Sequence, residues 1–288
     1  MKLPKPLSSE YPLSVGMPAI VWQALFFYIP LFLIVVTSFF QFSSSEMPSF
    51  TFSKIYYFLT PTYFKVIGLS LGFAIATTCL CFCIAYPLAY FIAFRGKKLK
   101  NFFLFLLLIP FWTNFLLHVY AWFYVLETHG FLNNLLTYLG LIQEPLFLLN
   151  TPFAIMIMMV YYYLPFMVLP IYSSLERFDR SLIEASYDLG ATWKQTFERI
   201  ILPLTMQGVR AGFFLVYIPS FGEFAIPSLM GGDKLMVVGS VVSEYMLSEG
   251  TGDLGAAFMV ICSLVLLVTA ALFYHLLGKL GKQVVHHG

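Results

Sequence analysis

The sequence predicts an all-α integral membrane protein with six transmembrane helices. Three observations carry this. The chain has 288 residues, of which 60% are hydrophobic and only 10% charged, whereas a soluble domain is about 25% charged. A core this small does not hide so much apolar surface from water, so lipid is the solvent for much of it. Six runs approach or exceed the roughly 20 apolar residues that a helix needs to cross the hydrocarbon layer. Lys and Arg are also unevenly shared among the intervening loops. The runs lack the apolar–polar alternation of a membrane barrel. No polar stretch is long enough to fold as a separate soluble domain, so residues 1–288 read as one membrane domain.

The spans follow in order. Residues 17–41 contain no charge. Their apolar stretch is longer than the roughly 7–15 residues of a signal peptide and no A-x-A site follows, so this is a retained first helix. Residues 66–94 are uncharged and end at Arg95. Residues 102–126 run between Lys100 and Glu127, and 153–175 end at Glu176. Residues 209–230 are apolar except for Arg210 and Glu223, and 254–278 are apolar throughout. Cys79, Cys81, Cys83 and Cys262 all fall within these spans. No His or carboxylate in the second span completes a ligand set, so they read as small buried hydrophobes and not as a metal site.

Orientation follows from the positive-inside rule. With the N-terminus in the cytoplasm and six alternating spans, the inside holds Lys2, Lys5, Arg95, Lys97, Lys98, Lys100, Arg177, Arg180, Lys194, Arg199, Arg210, Lys279 and Lys282. The outside holds Lys54, Lys65 and Lys234. Both termini are then cytoplasmic. Eight acids fall outside: Glu46, Glu127, Glu144, Glu223, Asp233, Glu244, Glu249 and Asp253. A negative outer mouth concentrates cations, and it is equally the mirror image of the basic bias inside.

The loop of residues 176–203 between the fourth and fifth spans is the most informative segment: ERFDRSLIEASYDLGATWKQTFERIILP. Ser181 is placed to cap a helix with Glu184 as its capping-box partner. Ile183, Tyr187 and Leu189 give it an apolar face, and Gly190 stops it. A second short helix, 192–202, is expected to stop at Pro203. Two short helices at a turn make a projecting knob suited to a groove on another protein; an ordinary amphipathic interfacial loop is the plainer alternative. Glu184-Ala185-Ser186, then Gly190, then Ile201-Leu202-Pro203 resembles the EAA loop of ABC importer permeases. The resemblance implies that Glu184, Ala185, Ser186, Gly190, Ile201, Leu202 and Pro203 form the coupling helix that inserts into an ATPase subunit. The family has Ala where Ser186 stands, and both residues are small.

The likeness extends through Ile109–Asn114, His118–Trp122, Gly130–Asn134, Leu164–Tyr172 and Gly222–Pro227, up to Gly231-Gly232. Together these resemble the spermidine/putrescine permeases, and in particular the first of the two permeases in such a system. The resemblance implies a type I ABC importer permease fold in a bacterial inner membrane. It also implies a heterodimer with a second permease, two ATPase subunits and an extracytoplasmic polyamine-binding protein. ATP and Mg would sit on the ATPase, with no cofactor on this chain. The absence of a G-x-x-x-x-G-K-[ST] phosphate loop is consistent with that division.

The pathway candidates come from charge and aromatic placement. An acid in the bilayer costs on the order of 2.5–3.5 kcal/mol by insertion scales, so a retained one is a candidate site. If Arg210 snorkels at the cytoplasmic edge, Glu223 lies roughly 20 Å further along a helix, in the outer half of the membrane. Pro219, Gly222 and Pro227 flank it, so the helix there is interrupted and its freed carbonyls must find partners. A carboxylate beside open carbonyls suits an ammonium group; if the span ends earlier, Glu223 is only at the mouth. Trp112 and Asn114 lie near the midplane and Tyr120 further out, where aromatic faces attract cations; helix packing is the plainer alternative for Trp112. Trp122 reads as part of an interfacial belt, and His118 as a satisfied buried histidine.

These readings favour a polyamine importer permease. The alternatives are an ABC permease for another small solute and an ATP-independent secondary transporter. The latter commonly carries several intramembrane ionisable groups and internal repeats, and here only Glu223 and Arg210 qualify. A membrane enzyme lacks a nucleophile–base set, paired carboxylates or a His-rich motif.

Overall fold

The computed structural model describes residues 12–41, 49–95, 99–232 and 235–286. Lys2, Lys5, Lys97, Lys98, Lys234, Glu46 and Asp233, which entered the charge count, lie outside them. Helix α1 runs over Pro12–Gln23, through a π turn at Ala24–Tyr28, to Ile29–Phe39. A two-stranded antiparallel ribbon follows, β1 (Phe40–Gln41) with β2 (Ser49–Phe50), pairing Phe40 with Phe50. Then come α2 (Ser53–Tyr57) and α3, which is Pro61–Tyr90 extended by a π turn at Phe91–Arg95. Helix α4 (Lys100–Leu108) tightens into a 3-10 turn, Ile109–Trp112. After it lie α5 (Phe115–Leu126), α6 (Phe131–Tyr138), α7 (Pro152–Glu176) and α8 (Ser181–Asp188). Helix α9 comprises Trp193–Thr196, a π turn at Phe197–Ile201, and Leu202–Phe221. The chain finishes with α10 (Ala225–Met230), α11 (Val238–Leu247) and α12 (Gly252–His286).

Among the described residues five helices, α1, α3, α7, α9 and α12, are long and apolar enough to cross a membrane. The pair that bends 99° between Trp112 and Phe115 makes a sixth when it is counted as one span. The all-α, six-span reading therefore holds, with two corrections to the spans. The third is not one helix over 102–126. Pro110 has no N–H to donate and its ring disfavours a continuing α-helix; Thr113 (ψ 158°) and Asn114 (ψ 135°) are extended. Asn114 then caps α5, its side-chain oxygen accepting the Leu116 N–H at 2.8 Å, which satisfies one of the new helix's orphan donors. The fifth helix is Trp193–Phe221 and not 209–230, because it begins inside the loop and breaks at Gly222.

Two local expectations in the loop also change. No helix stops at Pro203: the π turn at Phe197–Ile201 ends two residues before it, and the helix resumes at Leu202. A π turn already disturbs the i→i−4 ladder, so a residue that donates no hydrogen bond is tolerated there. Ser181 does not cap α8 with Glu184. Asp179 does so from two residues upstream of Ser181, its Oδ1 accepting the Ser181 N–H at 3.0 Å. The capping box lies instead at Thr192 and Gln195, opening α9.

The chain divides into two compact units: the described residues up to Thr60 with Val242–Ser263, and Pro61–Val241 with the described residues from Leu264 onward. In the first, the buried Lys54 ammonium donates to the carbonyls of Thr37 (3.0 Å) and Phe40 (2.8 Å) and pairs with Asp253 at 2.8 Å. A cation on the last carbonyls of α1 complements the helix dipole. In the second unit α7 packs against both α3 and α9, burying Met158, Met167, Ile171 and Leu175 completely or nearly so. Between helices in lipid there is no hydrophobic drive, so close approach and small residues decide the fit. A Cβ on Gly208 would stand 2.4 Å from Ser174 Oγ and 2.5 Å from the Pro170 carbonyl; one on Gly212 would stand 2.8 Å from Met167 Sδ. The Gly208-x-x-x-Gly212 face of α9 thus lies directly on α7. Arg210, on the same helix, donates to the Leu277 carbonyl of α12 at 3.0 Å.

Candidate functional site

Residues 176–203 form a projecting structure of two helical arms. Gly190 ends the first arm with φ +80°, a conformation that costs other L-residues roughly 1–2 kcal/mol. Behind it, Ala191 N–H donates to the Ser186 carbonyl at 3.0 Å and Gly190 N–H to that of Tyr187 at 2.9 Å. This paired closure satisfies the orphan carbonyls of α8. Ser186 is buried: its hydroxyl donates to the Ile183 carbonyl at 2.7 Å and lies 2.9 Å from that of Thr196 on α9. The hydroxyl therefore ties the two arms together, a contact that an alanine could not make.

Glu184, Ala185 and Gly190 are exposed. Ile201 is buried at the root of the second arm, and Leu202 and Pro203 are half-buried. The expected apolar face divides: Ile183 turns partly inward, while Tyr187 (46% exposed) and Leu189 (88% exposed) project. Beside them lies a shallow cavity of about 290 Å³ lined by Leu189, Gly190, Ala191, Gln195, Thr196, Arg199 and Ile200. At the entry to α8 the backbone N–H of Ser181 holds the Asp179 carboxyl below its ordinary range.

Glu223 occupies the break between α9 and α10. Its Oε2 accepts a hydrogen bond from the Tyr163 hydroxyl of α7 at 2.6 Å, and Oε1 accepts the N–H groups of Ala225 (3.0 Å) and Ile226 (3.4 Å). The carboxylate thus caps α10 and ties it to α7. Both oxygens are engaged within the chain. Gly239 of α11 approaches the break so closely that a Cβ there would meet the Gly222 carbonyl at 2.4 Å. Tyr163 is the residue that sequence reasoning missed: the direction of the Tyr161–Tyr163 run cannot be fixed from periodicity on a helix that is apolar on every side.

Trp112 (74% exposed) and Tyr120 (65% exposed) stand outward on either side of the bend, and Phe105 packs edge-on against Trp112. The Asn114 side-chain oxygen is occupied by its cap. Among the described residues no hydrogen bond or ring contact joins Trp112, Asn114 or Tyr120 to Glu223. His118 is half-buried and satisfied. Its Nε2 meets the Pro110 carbonyl at 2.9 Å and the Thr113 hydroxyl, and Nδ1 meets the Tyr161 hydroxyl at 2.9 Å. A carbonyl only accepts, so Nε2 carries the proton and Tyr161 donates to Nδ1. The ring fastens both sides of the bend to α7. Trp122, expected in an interfacial belt, is half-buried against Tyr161.

Comparison with known proteins gives this architecture its family. Residues 85–280 match the family described as binding-protein-dependent transport system inner membrane component. The spermidine/putrescine transport system permease protein PotB of Salmonella typhimurium (strain LT2) is 38% identical over 279 residues, covering 96% of this chain and 97% of that protein. The protein of the same name from Escherichia coli (strain K12) is 39% identical, covering 91% and 96%. The inner membrane ABC transporter permease protein YdcU of that organism is 31% identical, covering 84% and 79%. Among solved structures, a chain of a bacterial ABC transporter involved in the import of alginate superposes with a TM-score of 0.74 over 92% of this chain and 94% of that one, at 16% identity. The fold is therefore shared with ABC importer permeases. The chain belongs to the binding-protein-dependent transport system inner membrane component family, and is a multi-pass inner-membrane transport component and not an enzyme.

Proposed function

We propose that this chain is one permease subunit of an ATP-driven importer of polyamines such as spermidine and putrescine. The observation that carries the reading is the 38% identity with a spermidine/putrescine permease across nearly the full length of both chains. The partners that fit are a second, related permease, two ATPase subunits that bind ATP and Mg, and an extracytoplasmic polyamine-binding protein. A solved relative captured with its periplasmic protein supports that plan. Both termini are cytoplasmic. The exposed carboxylates Glu127, Glu144, Glu244 and Glu249 then face outward, where they favour cation capture.

In this reading the knob containing Glu184, Ala185, Ser186 and Gly190, rooted at Ile201, Leu202 and Pro203, docks into the ATPase, with Tyr187 and Leu189 as apolar anchors. Nucleotide-driven movement of the ATPase passes through it to α7 and α9. Trp112 and Tyr120 offer aromatic faces to a passing ammonium group, and Asn114 holds the bend that presents them. Glu223 supplies negative charge along the route. Its engaged oxygens favour a second role for it, fixing the gate at the α9–α10 break.

The test is uptake of labelled spermidine and putrescine by cells that lack their own polyamine importers and express this chain with its partner subunits. Saturable, ATP-dependent uptake is expected. Transport of a different solute and no polyamine would overturn the reading.

A further inference from the structure

Arg180 stands at the root of the knob, just before α8, and its side chain reaches to the end of α3. Its guanidinium donates to the Ala93 carbonyl at 2.7 Å and lies 4.9 Å from the centre of the Phe94 ring. Ala93 is in the π turn that ends α3, where the last carbonyls of a helix lack intrahelical donors and the helix dipole favours a cation. The backbone carbonyl of the same arginine accepts the N–H groups of Ile183 (3.0 Å) and Glu184 (3.3 Å), opening α8. One residue thus completes the C-terminus of α3 and begins α8.

Aromatic contacts extend the link. Phe178 packs on Phe94, Phe94 on Tyr90, and Tyr90 on Trp193 at the start of α9, with centroids 6.2, 4.7 and 5.4 Å apart. Both arms of the knob therefore bear on the end of α3, not only on α7 and α9, which are continuous with them. Without Arg180 the Ala93 carbonyl would lose this donor.

We propose that Arg180 is a positioning residue for energy coupling, fixing the end of α3 to the root of the knob so that α3 moves whenever the knob does. This rests on the reading of the knob as the ATPase-docking element. A planar guanidinium suits the place better than an ammonium, because it bonds the carbonyl while lying over the Phe94 ring.

The test uses the assembled complex of both permeases, ATPase and binding protein in proteoliposomes. It compares spermidine moved per ATP hydrolysed for wild type, Arg180→Ala, Arg180→Lys, Phe94→Leu and Gly190→Trp. Arg180→Ala is expected to lower the ratio on the order of tenfold, as loss of a charge-assisted bond allows. Arg180→Lys, which keeps the charge, should recover part of it, and Phe94→Leu should lower it less. Hydrolysis in these variants continues, because the docking surface is intact. A wild-type ratio in Arg180→Ala overturns the proposal. If that variant does not assemble, wild-type ratios in both Arg180→Lys and Phe94→Leu overturn it. Gly190→Trp separates the two readings: it should abolish stimulation of hydrolysis by the loaded binding protein. Normal stimulation there removes the docking role of the knob itself.

Discussion

Glu223 shows how much a single side chain settles in this protein. A carboxylate that accepts three hydrogen bonds from its own chain is not free to form a full ligand shell around a cation. The carboxyl group is half-buried at the helix break. Glu223→Gln keeps one carbonyl oxygen for the α10 amides and removes the charge, so initial polyamine uptake should fall at least several-fold at equal amounts of complex in the membrane. Tyr163→Phe removes one bond to a charged group, worth about 1.5–3 kcal/mol, and leaves the charge, so it should lower uptake less. Equal uptake in wild type and Glu223→Gln would leave the carboxylate only its capping role. The sequence made Glu223 legible because an acid among apolar residues is costly. It did not make its partners legible, because Tyr163 lies 60 residues away in the chain on a helix whose every side is apolar.

At the scale of elements, the knob was legible and the breaks were only partly so. Gly190 announces its own positive φ, and the Glu184–Pro203 motif carries its spacing with it. The break at Gly222 was signalled by Pro219, Gly222 and Pro227. The bend at Thr113–Asn114 was marked only by Pro110, and an apolar run of span length conceals a 99° turn. Helix-to-helix approach was also invisible. Gly208 reads as one more small residue until α7 is seen against it. Gly208→Ala must displace the Pro170 carbonyl, which is backbone, and overpacking of this kind costs typically 1–3 kcal/mol. The purified complex should melt at a lower temperature than wild type, and an unchanged melting temperature would show that α9 can withdraw from α7.

For the whole molecule the distribution of charge predicts which side each end faces. In a chain freed of its native cysteines, Arg177→Cys should react only with membrane-permeant thiol reagents, and Glu249→Cys should react with impermeant reagents added to intact spheroplasts. Both positions are exposed, so access and not burial decides the result; the reverse pattern would invert the orientation and put the knob on the wrong side for an ATPase. The long helices also share a feature that bears on how the parts keep step. Three of them, α1, α3 and α9, carry a π turn, and each such turn holds one residue more than the α-helical path. In α9 that residue resets the phase. Ahead of it Trp193 meets Tyr90; within it Phe197 meets Tyr86; beyond it Gly208 and Gly212 meet α7. A helical wheel drawn straight through 197–201 would be out by about 100°. Beyond the turn the same rod still touches both neighbours, Thr205 Oγ1 lying 2.8 Å from the Tyr86 hydroxyl of α3 while Gly208 and Gly212 lie on α7, so the extra residue sets which side chains each neighbour meets along the rod.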